Sequence, residues 1–233
     1  LPTLSTYFSK EEFKEYKTTL IKCIKTVLLF TIPSAVGFIV LREEVIRTLF
    51  DITGFAPESI ALAGRVLMFF SISLFSQSIV NVLNRAYYAA KDTITPLITG
   101  VITIGLNFLL SLTFVKMTNL GVAGMALSYS LVSLVNAFLL LTLLNKKMNG
   151  IYLKNLLKFL FKIFPASFIM GVVIYFINII LPSPNSKIMQ YINLGSVVAV
   201  GIIVYFIFVL LFKVEEASYV KDIILKKFKK KVS

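Results

Sequence analysis

The chain has 233 residues, 58% of them hydrophobic and only 15% charged, with a mean hydropathy of +0.88 and a net charge of +13. A water-soluble domain of this size carries more charge and seldom holds even one apolar run of about 18 residues, so a soluble fold is excluded. Histidine is absent and cysteine occurs once, at Cys23, which removes imidazole catalysis, histidine metal sites, thiolate clusters and a disulfide framework.

Residues 1–19 are polar and open with Leu1-Pro2-Thr3-Leu4-Ser5. They read as the exit from an earlier helix, then a short amphipathic segment. A chain that opens on Leu1-Pro2 rather than Met reads as a piece of something longer. The first long apolar run, 24–41, contains Pro33 and Gly37; a kink is expected there, its lost hydrogen bond compensated by neighbouring helices. After it, Leu41, Val45, Ile46, Leu49 and Phe50 recur at helical spacing. They predict a short helix at the membrane interface that ends near Gly54, with Pro57 beyond.

The second run, 59–84, is the most polar, with Ser73, Gln77 and Asn81 at intervals of four and Arg85 at its end. Such a stripe seldom faces hydrocarbon; it either joins helices or lines a wet cavity. Arg65 lies about two turns inside the same run, where an unpaired cation costs up to ~3 kcal/mol unless it snorkels outward. The third run, 94–115, follows Thr93-Ile94-Thr95-Pro96, with proline in the first turn of the helix. Asn107 and Ser111 share a face of that helix. The fourth, 120–144, carries Gly121, Gly124, Ser128, Ser130, Ser133 and Asn136, a small-residue pattern that predicts close packing on the third. The fifth and sixth, 159–181 and 190–212, are almost wholly Phe, Ile, Val and Leu. Helices apolar on every side touch lipid or something that resembles it. Beyond them, Val220, Ile223, Ile224 and Phe228 with Lys226–Lys231 read as a juxtamembrane amphipathic helix drawn to anionic lipid.

Each run is long enough to cross a hydrocarbon layer of ~30 Å at ~1.5 Å per residue, and helices satisfy their own backbone there. The chain therefore reads as an all-α polytopic bundle of six spans. Six crossings place both ends on one side. All but five of the 24 lysines and arginines then fall on that side; Arg42, Arg47, Arg65, Lys116 and Lys187 are the exceptions. This bias makes the basic side cytoplasmic. The positive charge is thus accounted for by topology, not by a nucleic-acid partner.

No phosphate-loop or dinucleotide fingerprint is present, and no carboxylate lies deep in a span. Neither ATP hydrolysis nor a carboxylate proton relay is therefore readable, and a transporter or a membrane scaffold is favoured over an enzyme. Several stretches, in order, resemble the C-terminal half of the MurJ (MviN) family of lipid II flippases, of the multidrug/oligosaccharidyl-lipid/polysaccharide exporter superfamily. They are the opening Leu1 to Ser5, Pro33-Ser34-Ala35-Val36-Gly37, Leu49-Phe50 before Gly54-Phe55, Arg85-Ala86-Tyr87-Tyr88-Ala89 with Asp92 to Pro96, and Gly121 to Leu127.

The resemblance implies the last six of fourteen helices. Residues 1–145 would be the four-helix portion of the C-lobe, with an N-terminal cytoplasmic segment and an outer interfacial helix. Residues 146–233 would be a two-helix appendage forming a groove for an undecaprenyl tail, followed by a basic cytoplasmic tail. It further implies a multi-pass protein of the bacterial cytoplasmic membrane that moves a lipid-linked peptidoglycan precursor outward by alternating access, completed by an N-terminal half. Arg65, Ser73, Gln77 and Asn81 would line the cavity, and Arg85, Tyr88, Asp92 and Pro96 would shape a cytoplasmic loop. Asn107 and Ser111 would belong to a sodium site, although Ser111 stands where some members place a carboxylate. An exporter of another lipid-linked oligosaccharide, a drug/cation antiporter and a non-transporting scaffold subunit remain the alternatives.

Overall fold

A computed structural model describes residues 2–50, 56–181 and 186–216. These residues form eight helices and no strand: α1 (Pro2–Ser9), α2 (Phe13–Val40), α3 (Arg42–Phe50), α4 (Pro57–Ala89), α5 (Ile94–Met117), α6 (Val122–Lys147), α7 (Leu153–Ile180) and α8 (Lys187–Leu211). Six of them are long and apolar enough to cross a membrane, so the all-α, six-span architecture expected from hydropathy is found. The proposed amphipathic tail lies outside the described residues.

Helix boundaries differ from the apolar runs in an instructive way. α2 begins at Phe13, well before the apolar run, and its first turns carry Lys14, Lys17, Lys22 and Lys25. Lysines do not break a helix, and outside the hydrocarbon they cost nothing. For the same reason α4 runs on to Ala89, so Arg85 and Tyr88 sit on its last turns and not in a loop. The true connection to α5 is the short turn at 90–93. The basic linker expected at 145–158 shrinks likewise to Met148–Tyr152. There Gly150 takes φ +98 and the Asn145 carboxamide oxygen accepts the Ile151 N–H at 3.0 Å. Pro57 does not close α3 but opens α4 at its first turn, where its missing N–H is harmless.

α4 is the centre of the bundle, packed between α2 and α6, with α5 on the far side of α6. α7 lies along α2, α8 along α7, and α3 crosses the ends of α4 and α8. Residues of α2, α4, α6, α7 and α8 share one continuous core that crosses the boundary near residue 145. Two approaches set the spacing. At Gly171 of α7 a Cβ would come within 2.7 Å of Val36 Cγ1 on α2, and at Gly124 of α6 within 2.9 Å of Phe114 Cβ on α5. The expected close packing of the third and fourth spans thus rests on Gly124, whereas Gly100 and Gly105 face open space.

Two buried tyrosines tie this layer together at its basic end. Tyr16 of α2 donates to the Ala86 carbonyl of α4 at 2.7 Å, and Tyr87 of α4 donates to the Leu140 carbonyl of α6 at 2.9 Å. A phenol is well suited to this place, with a ring for the apolar core and one donor for a neighbouring backbone.

Candidate functional site

An apolar groove of about 420 Å³ opens between α2, α3, α7 and α8. Its floor includes Pro33, Met170, Ile174 and Gly201, with Phe30, Phe38 and Ile202 exposed at its edges. Two local features make room for it. Pro33 and Gly37 leave one face of α2 without long side chains, and a Cβ built at Gly37 meets nothing within 4 Å. Gly201 lets α8 draw against α7, where a Cβ would stand 3.0 Å from Ile174 Cγ2. Tyr205 lines the same groove and donates to the Leu29 carbonyl of α2 at 2.6 Å.

The polar stripe of α4 divides. Ser73 is buried, and its hydroxyl bonds the Phe70 carbonyl of its own helix at 2.7 Å. The expectation that Ser73 lines a cavity is therefore corrected: it belongs to the α4–α6 seam, where Ser76 meets Ser133 at 2.9 Å. Gln77 is half-buried and its Nε2 donates to the Tyr129 hydroxyl at 2.6 Å. One and two turns on, Asn81 and Arg85 are exposed, and no hydrogen bond or ion pair to either side chain is found among the described residues. At ~100° per residue, Gln77, Asn81 and Arg85 share a face of α4, while Arg65 lies roughly 120–160° around the helix from Gln77 and Asn81. Arg65 is exposed near the opposite end of α4, apart from the stripe, a place from which it can snorkel to water.

Asn107 and Ser111 join helices. The Ser128 hydroxyl of α6 donates to Asn107 Oδ1 at 2.8 Å, and Ser111 Oγ lies 3.1 Å from Ser128 Oγ and 3.2 Å from Asn107 Oδ1. Every member of this set is neutral, and each oxygen already has a hydrogen-bond partner. Among the described residues no group of three or more His, Cys, Asp or Glu gathers anywhere. From this chain the set offers a cation neutral oxygens only: one carboxamide and two hydroxyls. In this arrangement Asn107, Ser111 and Ser128 make a polar joint between α5 and α6.

The turn before α5 is a built structure. Asp92 accepts the Thr95 N–H at 3.0 Å and the Thr95 hydroxyl at 2.8 Å, so it caps the helix from the residue ahead of the N-cap. Lys147, at the end of α6, reaches the same carboxylate at 2.6 Å. Partial burial pushes the Asp92 carboxyl up, but Lys147 and the two Thr95 donors outweigh it and hold the group down at about 2. Pro96 is buried in the first turn of α5, as expected; Tyr88 is 54% exposed, while its neighbour Tyr87 is the buried one. A second tie at this end joins Lys25 of α2 to Glu216, just past α8, at 2.8 Å.

Sequence reasoning did not single out Tyr205, Tyr129, Tyr16 or Tyr87 as helix ties. For Tyr129 and Tyr205 the signal was a hydroxyl in an apolar run, which must find a partner when buried; Tyr16 and Tyr87 lie outside those runs and carried no such signal.

Comparison with known proteins follows these lines. The family model described as "MurJ: Lipid II flippase MurJ" matches residues 1–193. A Thermotoga maritima protein named "Probable lipid II flippase MurJ" is 33% identical over 195 residues, covering 83% of this chain and 37% of that protein. A "Lipid II flippase MurJ" of Thermosipho africanus is 30% identical over 128 residues, covering 55% of this chain and 26% of its own length. A solved structure titled "Lipid II flippase MurJ, inward closed conformation" superposes with a TM-score of 0.70 at 27% identity, covering 90% of this chain and 41% of that one. The chain thus spans well under half the length of the proteins it matches. With its family model matched over residues 1–193 and its helices superposed on a solved member, this chain belongs to the MurJ lipid II flippase family.

Proposed function

We propose that this chain forms part of a flippase that carries a lipid-linked peptidoglycan precursor outward across the bacterial cytoplasmic membrane. The observation that carries the reading is the apolar groove between α2, α7 and α8, joined by one continuous core to a helix, α4, that bears an open polar face. A lipid-linked sugar has two incompatible parts, and each needs its own path. The polyprenyl tail stays in hydrocarbon along the groove. The headgroup passes a wet cavity, one wall of which is the Gln77–Asn81–Arg85 face of α4. Polar side chains of this kind gain nothing from facing acyl chains, so the lack of partners for Asn81 and Arg85 within the described residues supports a cavity closed by further helices. The rocking of two bundles about that cavity would expose it to each side in turn.

The basic end, where Lys25, Lys147 and Lys162 make their bonds, faces the cytoplasm in this reading. Residues 217–233, with their lysines, would rest on anionic lipid there. The wall opposite α4 comes from the additional length that the relatives carry, and the chain by itself is expected to be inactive. The family match does not favour the antiporter, the other oligosaccharide exporters or the scaffold. In the test, cells depleted of their own lipid II flippase receive this chain with and without the N-terminal remainder of a MurJ relative. Rescue is expected only with the remainder, and Gly37→Phe, which fills the groove, is expected to abolish it. Full rescue by the groove-filled variant would refute the tail path.

A further inference from the structure

The hydrogen bond from Tyr205 to Leu29 stands apart from the other tyrosine ties. In an unbroken helix the Leu29 carbonyl accepts the N–H of residue 33. Residue 33 is proline, which has no N–H. The carbonyl is therefore orphaned in an apolar, buried setting, where an unmade hydrogen bond is costly. Tyr205, on α8 and 3% exposed, supplies the missing donor at 2.6 Å. By contrast, the Ala86 carbonyl that Tyr16 reaches already accepts the Ala90 N–H at 3.0 Å, so that phenol adds a second bond to a satisfied acceptor. Pro33 and Tyr205 both line the groove, and Gly201, one turn before Tyr205, sets the approach of α8 to α7.

We infer that Tyr205 is a positioning residue of the lipid-tail groove: its hydroxyl replaces the N–H that Pro33 lacks and so pins α8 to the proline break of α2. The inference rests on the groove being the tail path only for its functional consequence; the joint itself is read from geometry. Pro33 opens the groove by thinning one face of α2 and at the same time creates the acceptor that holds the opposite wall in place. A phenol at 205 that merely filled space would be indifferent to residue 33. One that substitutes for a missing N–H becomes dispensable when the N–H is returned.

The experiment uses the protein with its N-terminal remainder, reconstituted in nanodiscs in a Cys23→Ser background. Spin labels at Phe38→Cys and Val198→Cys, one on each wall of the groove, report its width. Binding of undecaprenyl phosphate to the unlabelled protein reports its occupancy. Tyr205→Phe should broaden the label distances and weaken undecaprenyl phosphate by about tenfold, the scale of one lost buried hydrogen bond. Pro33→Ala alone should resemble the parent in both readouts, and Pro33→Ala with Tyr205→Phe should return both to within about twofold of it. Tyr205→Phe indistinguishable from the parent would overturn the inference. So would a Pro33→Ala variant that disturbs the groove as much as Tyr205→Phe does, or that fails to repair it. If the distances respond as expected while undecaprenyl phosphate never binds the parent, the joint stands and the tail-path reading falls.

Discussion

The dock between α2 and α7 holds the greasy pair to the rest of the bundle, and Gly171 is its tightest point. In Gly171→Ala the new methyl would lie 2.7 Å from Val36 Cγ1 and 3.6 Å from Val40 Cγ2. Carbon atoms rest at about 3.5–4.0 Å, so roughly an ångström must be found. Val36 cannot readily swing aside, because a β-branched side chain in a helix has one strongly preferred χ1. Either it leaves its rotamer or α7 moves off α2, and overpacking of this kind costs about 1–3 kcal/mol. Against this, alanine is the better helix former by about 1 kcal/mol. The expected net loss is about 0–2 kcal/mol. Val36→Ala removes the obstructing methyl; in that background Gly171→Ala should be neutral or slightly stabilising, which makes the coupling between the sites about 1–3 kcal/mol. Reversible unfolding in mixed micelles titrated with a denaturing detergent, run on all four members of the cycle, measures it. Additivity within about 0.5 kcal/mol would show that the two residues do not oppose each other, and the account of the α2–α7 dock would be wrong.

Other expectations follow from the same geometry. Asn81→Cys should react with a water-soluble thiol reagent in at least one conformational state of the protein in membranes, whereas Ser73→Cys should be protected in all; equal reactivity would remove the split in the stripe. Asn107→Ala should lower the unfolding midpoint by an amount worth about 1–3 kcal/mol, because it strips partners from Ser111 and Ser128, and to the same extent in sodium and in potassium buffers. A loss confined to sodium would assign the joint a bound cation. Since the Asp92 carboxyl is held at about 2, below its usual range, its contribution is whole above about pH 4 and disappears as the pH falls through 2. Hydrogen exchange at the first turn of α5, compared with Asp92→Asn, should show protection at pH 5 that the variant lacks and a difference that vanishes near pH 2. An unchanged difference at the lowest pH would rule out the charged cap.

Much of the architecture was legible along the chain because crossing a bilayer is a local property. Whether twenty residues can leave water depends on those residues alone, so the six spans and the short α3 could be read one window at a time. Pro96 in a first turn and Gly124 in a close contact belong to the same class. Errors fell where polarity was taken for a boundary: Lys14 to Lys25, Arg85 and Lys147 are charged yet helical, since a helix continues until something breaks it, not until the membrane ends.

The sequence alone thus determined which six stretches are long enough to cross a membrane and how greasy each is. Which faces meet was decided only in three dimensions. Ser73, Gln77, Asn81 and Arg85 recur on one helical stripe, yet the first is spent inside a seam and the last two stand open, because the stripe turns by about 40° at each step and leaves the face of α4 that α6 follows as far as Tyr87. Asn107 and Ser111 became a joint only when Ser128 arrived from α6, and the oxygen orphaned by Pro33 found its donor 176 residues away in Tyr205. Lipid offers apolar helices no hydrophobic reason to choose one another, so partners are chosen by shape and by the few polar groups that must be satisfied. Those choices are made between helices, and a linear pattern does not contain them.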